Sequence, residues 1–152
     1  MAMAVKGCTV TSVDSSAHAV KWSKTNMSLN SLEMGKHAFY TWDVFDYLNW
    51  AERQAIHFDW VILDPPSFGR GLSRGRKAFS LKRNARQLIA LATSRVAQGG
   101  HLYFSANLKT NAKGWLWSLE AHEQTRLSPF QHVRYFPPHL GAAFGALYQL
   151  SS

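Results

Sequence analysis

The sequence predicts an α/β fold with a mostly parallel sheet, in one domain over residues 1–152. Two observations predict it. Short β-branched and aromatic runs alternate with segments that repeat apolar residues at helical spacing. In addition, the apolar run Trp60–Leu63 is followed at once by an aspartate and two prolines, as at the carboxyl end of a strand that is buried on both faces. With 46% hydrophobic residues, the chain can fill a core.

The amino-terminal part is predicted to begin with a strand and a helix. The strand covers Cys8–Val13, and the Asp14-Ser15-Ser16 cluster after it is a good N-cap for a helix that runs to about residue 30. Cys8 would be a small core residue, at the end of this strand that is remote from Asp14. One face of the helix carries the apolar residues Ala17, Val20 and Met27.

A second strand and helix follow. Ala38–Thr41 is the predicted strand, and Asp43 can cap the helix after it. Apolar residues recur in this helix at helical spacing, namely Val44, Leu48, Ala51 and Ala55.

The carboxyl-terminal part continues the alternation. Gly99-Gly100 is predicted to end a long amphipathic helix, and His101–Ser105 to begin the next strand. The buried face of that helix comprises Leu81, Ala85, Leu88, Ala92 and Val96. The remaining predicted elements are one helix and an antiparallel strand pair, at about residues 112–123, 130–136 and 144–150.

The formal charge of +8 is concentrated in one stretch. Residues 65–119 contain ten Lys or Arg and no Asp or Glu, whereas the remainder contains seven basic and nine acidic residues. A field of one sign attracts a polyanion, and nucleic acid is the first candidate, although a solvated loop and helix face is the alternative. The densest part, the basic block, comprises Arg70, Arg74, Arg76, Lys77, Lys82, Arg83 and Arg86.

Several other classes of protein are disfavoured. No apolar run approaches the length of a membrane span, and the chain does not begin with a basic segment followed by an apolar one. The single cysteine excludes internal disulfides and multi-cysteine zinc sites, and the seven histidines show no metal-ligand spacing, so no metal site is expected. A cytoplasmic location is the simplest account of these features.

Three carboxylates are predicted to lie along one edge of the sheet. Asp14 ends one strand, Asp43 follows the next, and Asp64 ends the third. In nucleoside-binding α/β folds, a carboxylate at such an edge accepts hydrogen bonds from ribose hydroxyls. Each aspartate could instead cap a helix, but three in register favour a nucleoside cofactor.

Three segments resemble motifs of one family, the class I S-adenosylmethionine-dependent methyltransferases that modify 23S ribosomal RNA of the large subunit. Val10–Ser16 resembles the family's second-strand acidic motif, Asp43–Leu48 its adenine-side motif, and Phe58–Phe68 its Asp-Pro-Pro-aromatic motif. The resemblance covers nearly the whole chain. It implies a Rossmann-like class I methyltransferase sheet with S-adenosyl-L-methionine as the cofactor.

The resemblance also implies roles for individual residues. Asp64 and the carbonyl of Pro65 would orient the target base, Phe68 would stack on it, and Asn107 would contact it. The basic block would hold phosphates of the RNA. The residues that bind the cofactor would be Asp14, Ser15, Asp43, Val44 and Asp64.

One element of the family is missing ahead of Asp14. In such folds a glycine-rich loop precedes the acidic residue by about 20 residues, and Asp14 is too near Met1 for this loop to exist. Met1–Val5 would be the tail of the first helix, so the chain resembles the C-terminal part of the domain without its first strand. The unpaired sheet edge then favours a partner chain or self-association.

The residue type at position 105 bears on the reaction. Cytosine-C5 methylation needs a nucleophilic cysteine, and where the resembling cytosine enzymes carry it this chain reads Phe104-Ser105-Ala106-Asn107. This favours direct, non-covalent methyl transfer, as in the guanine-N7 enzymes of the group. N7 of guanine carries a lone pair and no proton, so transfer requires alignment with the methyl group rather than a strong general base. Two alternatives stay open: a non-catalytic RNA- or partner-binding remnant, and a methyltransferase that acts on DNA or protein.

Overall fold

The structure, a computed structural model, describes residues 2–69, 78–107, 127–133 and 143–150. The chain divides into two compact units, Met1–Tyr47 and Leu48–Ser152. Each unit contains a parallel strand pair whose strands are separated in sequence by a helix, which confirms the predicted α/β class. The helix predicted near residues 112–123 lies outside the described ranges, and the extent of a single domain stays a prediction.

The first unit is built around one parallel strand pair. In β1 and β2, Thr11 lies opposite Ala38 and Asp14 lies opposite Thr41. The N–H of Val10 donates to the Nδ1 atom of His37 at 3.1 Å, which supports this register ahead of the first paired residues. The elements are α1 (Ala2–Val5), β1 (Thr11–Asp14), α2 (Ala17–Leu29), a 3-10 turn (Met34–Lys36) and β2 (Ala38–Thr41).

Helix α2 begins where the sequence predicts. The hydroxyl of Ser16 accepts a hydrogen bond from the N–H of Ala19 at 3.3 Å, as an N-cap should. Val20 and Met27 are buried, which confirms most of the predicted apolar face. Ala17 is exposed, because it occupies the first turn, where the helix has just left the strand.

Cys8 is exposed, so its prediction as a core residue is wrong. The physical reason is that β1 starts only at Thr11, and Cys8 belongs to the turn between α1 and β1. There its N–H donates to the carbonyl oxygen of Met3 at 3.1 Å. Cys8 nevertheless precedes the amino end of β1, whereas Asp14 lies at the carboxyl end, as expected.

Helix α3 (Val44–Arg53) is shorter than predicted. Ala55 was expected on its apolar face but lies beyond the helix, with a φ of 52° in the left-handed region. The N–H of Ile56 donates to the carbonyl oxygen of Ala51 at 2.9 Å, which closes the helix end. Leu48 and Ala51 are buried, as the periodicity predicts.

The second unit contains a four-stranded sheet with strand order β3-β6-β8-β7. β3 and β6 are parallel, whereas β8 is antiparallel to both β6 and β7, which confirms the predicted carboxyl-terminal strand pair. A separate two-stranded ribbon joins β4 to β5. The elements are β3 (Phe58–Leu63), β4 (Phe68–Gly69), β5 (Phe79–Ser80), α4 (Leu81–Thr93), β6 (Val96–Asn107), β7 (Leu127–Val133) and β8 (Ala143–Leu150).

Helix α4 and strand β6 provide much of the core of this unit, and they contact each other. Leu102 and Phe104 of β6 are fully buried. The buried residues of α4 are those that the helical spacing predicts, with one addition: Leu81, Ala85, Leu88, Ile89 and Ala92.

Gly99 and Gly100 do not end α4, contrary to the prediction. The helix ends at Thr93 with Ser94 as its C-cap, and Val96, predicted on the helix, is the first residue of β6. The two glycines lie inside β6 at an irregularity, because Phe58 pairs with Val96 whereas Trp60 pairs with His101. Gly99 has a φ of 74°, in the left-handed region that favours glycine. The irregularity in β6 therefore uses glycine for the same reason as a helix end does.

We expect Gly100→Ala to destabilise the second unit. A Cβ atom there would lie 2.8 Å from the carbonyl oxygen of Asp59 and 2.9 Å from that of Ala97. Both are backbone atoms, which cannot move aside without distorting the strands. The loss in free energy of unfolding should be about 1–3 kcal/mol, as for other overpacked sites. Urea denaturation measures it, with Gly35→Ala as the control, because nothing lies within 4 Å of its added Cβ atom. Equal stability of the two variants would contradict this.

β3 is not buried on both faces, contrary to the prediction. Trp60 is 42% exposed and Ile62 is 54% exposed. In the described part of the chain β3 pairs with β6 only, so it is an edge strand of its sheet. An apolar run that would suit a central strand therefore lies at an edge, where fewer neighbours cover it.

Candidate active site

Asp14 and Asp43 lie at the carboxyl ends of neighbouring strands. β1 ends at Asp14, and Asp43 comes two residues after Thr41, the partner of Asp14 in β2. The N–H of Trp42 also donates to the carbonyl oxygen of Asp14 at 3.1 Å. The first unit therefore brings these two predicted carboxylates to one sheet edge. Asp64 belongs to the second unit, and its clustering with them stays a prediction.

Both carboxylates also accept a hydrogen bond from a nearby backbone N–H. Oδ1 of Asp14 accepts from the N–H of Ser16 at 2.7 Å, and Oδ1 of Asp43 accepts from the N–H of Phe45 at 2.9 Å. These bonds fix each side chain in orientation. A carboxylate has two oxygens and about four lone-pair positions, so such a bond is compatible with binding a ribose or an adenine amino group. Asp43 is thus a cap of α3, as the alternative interpretation proposed, whereas Asp14 closes a turn ahead of Ser16, the N-cap of α2. Neither bond excludes the functional interpretation.

An aromatic cluster, which the sequence analysis missed, accompanies this edge. The ring of Trp42 lies 5.5 Å from that of Tyr40 and 6.1 Å from that of Tyr47, centroid to centroid. Burial raises the pKa of Tyr47, and the nearby Tyr40 adds to this, whereas a hydrogen bond with Thr11 opposes it. The signal was the i, i+2 spacing of Tyr40, in β2, and Trp42, directly after its end, which keeps two aromatic residues close at this strand end.

The flanking residues of the predicted cofactor site occupy loop and helix-start positions. Ser15 is exposed in the turn between β1 and α2. Val44 is half-buried at the first position of α3, directly after Asp43. Both therefore lie beside the carboxylates that they were predicted to assist.

Asp64 is held at the carboxyl end of β3 by a neighbour on β6. The hydroxyl of Ser105 donates to Oδ1 of Asp64 at 2.5 Å. The strand register explains this contact, because Leu63 pairs with Phe104 and the next residue of each parallel strand is Asp64 and Ser105. The Asp64 side chain is exposed, so the carboxylate is oriented and remains accessible.

Phe68 projects from a short ribbon just after the two prolines. It is 79% exposed and pairs with Ser80 in the antiparallel contact between β4 and β5. The base of this ribbon is fixed by the N–H of Leu81, which donates to the carbonyl oxygen of Ser67 at 3.0 Å. The ring of Phe68 is therefore presented to solvent on an anchored backbone.

Only part of the basic block can be placed. Lys82, Arg83 and Arg86 lie on exposed positions of α4, whereas Arg70, Arg74, Arg76 and Lys77 lie outside the described residues. One guanidinium nitrogen of Arg83 donates to the carbonyl oxygen of Ala78 at 2.6 Å, so Arg83 also supports the ribbon.

Asn107 is the last residue of β6, two positions beyond Ser105, and pairs with Ala143. Its side chain lies outside the described residues. Within the described ranges, no three His, Cys, Asp or Glu side chains form a group that could hold a metal ion. No helix in that part of the chain is long and apolar enough to cross a membrane.

Comparison with known proteins identifies one family. The family model described as the methyltransferase small domain matches residues 1–125. Ribosomal RNA large subunit methyltransferase K of Neisseria meningitidis is 35% identical over 98 residues, which is 64% of this chain and 27% of that protein. Methyltransferase K/L of Syntrophotalea carbinolica is 36% identical over 108 residues, 70% of this chain and 15% of that protein. The matched segment of this chain thus spans only 27% and 15% of the length of these two relatives.

Solved methyltransferase structures share the fold. SMU.776, a methyltransferase complexed with SAH, superposes with a TM-score of 0.78 at 21% identity, over 91% of this chain and 38% of that one. A SAM-dependent methyltransferase of Agrobacterium tumefaciens gives 0.76 at 20% identity, over 97% of this chain and 51% of that one. These matches confirm the class I methyltransferase fold that the resemblance implied.

Proposed function

Since the chain belongs to the methyltransferase small domain family, we propose that it methylates RNA with S-adenosyl-L-methionine, and that 23S ribosomal RNA is the substrate. The names of two relatives support this substrate, because both are ribosomal RNA large subunit methyltransferases. The concentration of ten basic residues in 65–119 also suits a polyanion. A ribosomal substrate would make the protein cytoplasmic.

The residues at the edge of the first unit fit the nucleoside part of this cofactor. Asp14, with Ser15 beside it, would accept from the ribose hydroxyls, and Asp43 would accept from the adenine amino group. Val44 would pack against the adenine ring. The local backbone hydrogen bonds of both carboxylates support this assignment, because they set the orientation of the oxygens before a ligand arrives.

The observation that carries the proposal is the geometry around Asp64. A carboxylate that is fixed in orientation yet exposed precedes two prolines and an aromatic ring that is itself exposed on an anchored ribbon. Asp64 and the carbonyl oxygen of Pro65 would accept from the N–H groups of a target base. Phe68 would stack on that base, as aromatic side chains do with unstacked nucleotides.

We further propose direct transfer to N7 of guanine. When bound, the cofactor would supply a methyl carbon on a positively charged sulfur. The N7 lone pair would form the new N–C bond as the C–S bond breaks, which leaves a neutral thioether as the leaving group and the positive charge on the methylated guanine, with no proton lost. Covalent cytosine chemistry would need a cysteine thiolate at the base. Position 105 beside Asp64 is a serine, and Cys8, the single cysteine of the chain, precedes the amino end of β1. The protein would then contribute by aligning N7 of the base with the methyl group of the cofactor.

A partner strand is also proposed. In the described structure β3 has a strand on one side only and exposes Trp60 and Ile62. A further strand, from a partner chain or a second copy, would satisfy the open edge of β3.

The 152-residue chain should bind S-adenosyl-L-methionine weakly or not at all. It carries the ribose and adenine carboxylates, but its only glycine before Asp14 is Gly7, so it offers no glycine-rich loop for the methionine end. Isothermal titration calorimetry tests this. Binding in the micromolar range would mean that other residues replace the loop, and the Asp14→Ala variant would then show whether the ribose contact contributes.

RNA binding should depend on the basic block. Phosphate contacts by Lys and Arg give an affinity that falls steeply with salt. Removing four of these charges should weaken binding to a 23S fragment and flatten the salt slope by about 0.7 per lost contact on single strands. The four substitutions are Arg74→Ala, Arg76→Ala, Arg83→Ala and Arg86→Ala.

The matched control removes the same charge from outside the block. Its four substitutions are Lys6→Ala, Lys21→Ala, Lys24→Ala and Lys36→Ala. Filter binding across a salt series compares the two variants. If both bind RNA with the same affinity and slope, the basic block is a solvated face and not an RNA site.

A further inference from the structure

The bond between Ser105 and Asp64 joins a hydroxyl to a carboxylate that remains exposed. The oxygen–oxygen distance is 2.5 Å. Hydrogen bonds of hydroxyls to carboxylates lie at about 2.5–2.7 Å and are roughly twice as strong as neutral ones. The contact therefore restricts how the Asp64 carboxylate can turn, although this side chain is exposed to solvent.

The pairing of β3 with β6 brings Asp64 and Ser105 together. Leu63 and Phe104 are paired and buried, so they fix the level at which the two parallel strands run side by side. Alternation along a strand then places Asp64 and Ser105 together on the opposite face from these two residues. On the other side of β6, Ser105 pairs with Gly145, which has no side chain that could compete for the hydroxyl.

We propose that Ser105 is a positioning residue of the base-binding site, a role that rests on the proposed RNA function. Its hydroxyl proton takes one lone pair of Oδ1 of Asp64, which fixes the direction in which Oδ2 can accept a further hydrogen bond. The carbonyl oxygen of the next residue, Pro65, which the proposed function assigns to the same base, would be the second acceptor.

Two acceptors side by side would favour a base that carries two adjacent hydrogen-bond donors. Guanine carries adjacent donors on N1 and on its exocyclic amino nitrogen, whereas uracil offers one donor between two acceptors. The N1 edge of guanine lies across the ring system from N7. Recognition at this edge therefore leaves N7 clear for the methyl donor, and it selects guanine over uracil before any chemistry occurs.

The first experiment tests positioning in the chain without RNA. Three-bond couplings to Cγ of Asp64, measured by NMR, report its χ1 rotamer. One rotamer is expected in the parent chain and in Ser105→Thr, which retains a hydroxyl. Rotamer averaging is expected in Ser105→Ala and in the isosteric Ser105→Cys, whose thiol is a weak donor. Unchanged amide shifts in β6 verify folding. A single Asp64 rotamer in both Ser105→Ala and Ser105→Cys would overturn the proposal.

The second experiment tests base selection. Fluorescence anisotropy compares a uridine hexamer with the same hexamer carrying one central guanosine. We expect the parent and Ser105→Thr to prefer the guanosine hexamer by about tenfold, a modest value for a two-bond base contact. Ser105→Ala should lose this preference and bind the uridine hexamer as the parent does, because phosphate contacts are untouched.

The outcomes separate the two claims. A preference for guanosine that persists in Ser105→Ala would overturn the role of Ser105. Equal binding of both hexamers by the parent would overturn base selection by this carboxylate, even if the NMR result holds. No binding of either hexamer, together with a fixed Asp64, would instead count against the proposed RNA function.

Discussion

Replacing Asp64 by alanine should lower methyl transfer to 23S ribosomal RNA by at least about 100-fold, since small losses of alignment at a reacting centre have effects of this size. The carboxylate is held by Ser105 at 2.5 Å and remains exposed at the end of β3, where it would orient the target base. Methyl transfer is measured with radiolabelled cofactor, in this chain preceded by a strand and a glycine-rich loop ahead of Asp14.

The matched control for this variant is Asp59→Ala. Asp59 is an exposed aspartate on the same strand, so its replacement removes the same charge away from the strand end. Cys8→Ala should also leave the rate nearly unchanged, because Cys8 precedes the amino end of β1. If Asp64→Ala remains as active as Asp59→Ala, the loop after β3 does not orient the base.

Phe68→Ala should weaken binding of single-stranded RNA by roughly 5- to 150-fold, because base stacking on an aromatic ring contributes about 1–3 kcal/mol. The ring is 79% exposed and makes the first pair of the β4–β5 ribbon. Its loss should therefore cost affinity while the fold, measured by circular dichroism and thermal unfolding, is retained.

Two further variants make this result specific. Phe68→Trp keeps a stacking surface and should retain affinity. Trp22→Ala removes a different exposed aromatic ring, on α2, and should leave RNA binding unchanged. Equal affinity of Phe68→Ala and Trp22→Ala would contradict stacking by Phe68.

The sequence was sufficient for the strand–helix alternation and for much of the site's outline. Periodicity identified the buried face of α4. The sequence also predicted that one strand would end at Asp14 and another at Asp64, and in the structure β1 ends at Asp14 and β3 ends directly before Asp64. These features are local, because they depend on residues that are adjacent or one helical turn apart.

Other features depended on neighbours that the pattern does not reveal. Four consecutive apolar residues predicted burial of β3, but burial requires a second neighbouring strand, and Ile62 is 54% exposed. Gly99-Gly100 suited a helix end and a break in a strand equally well, since both use a positive φ. The bond between Ser105 and Asp64 joins residues 41 positions apart. It follows from the register of β3 against β6, which cannot be deduced from the residue pattern of either strand.

Identifying the methylated nucleoside distinguishes direct transfer to N7 of guanine from covalent transfer to C5 of cytosine. The chain preceded by a strand and glycine-rich loop is incubated with 23S ribosomal RNA and isotopically labelled cofactor, and the digested RNA is analysed by mass spectrometry. We expect labelled 7-methylguanosine, in equal yield from the parent and from Cys8→Ala. Labelled 5-methylcytidine that disappears in Cys8→Ala would contradict it, because the reaction would then be covalent and directed at cytosine.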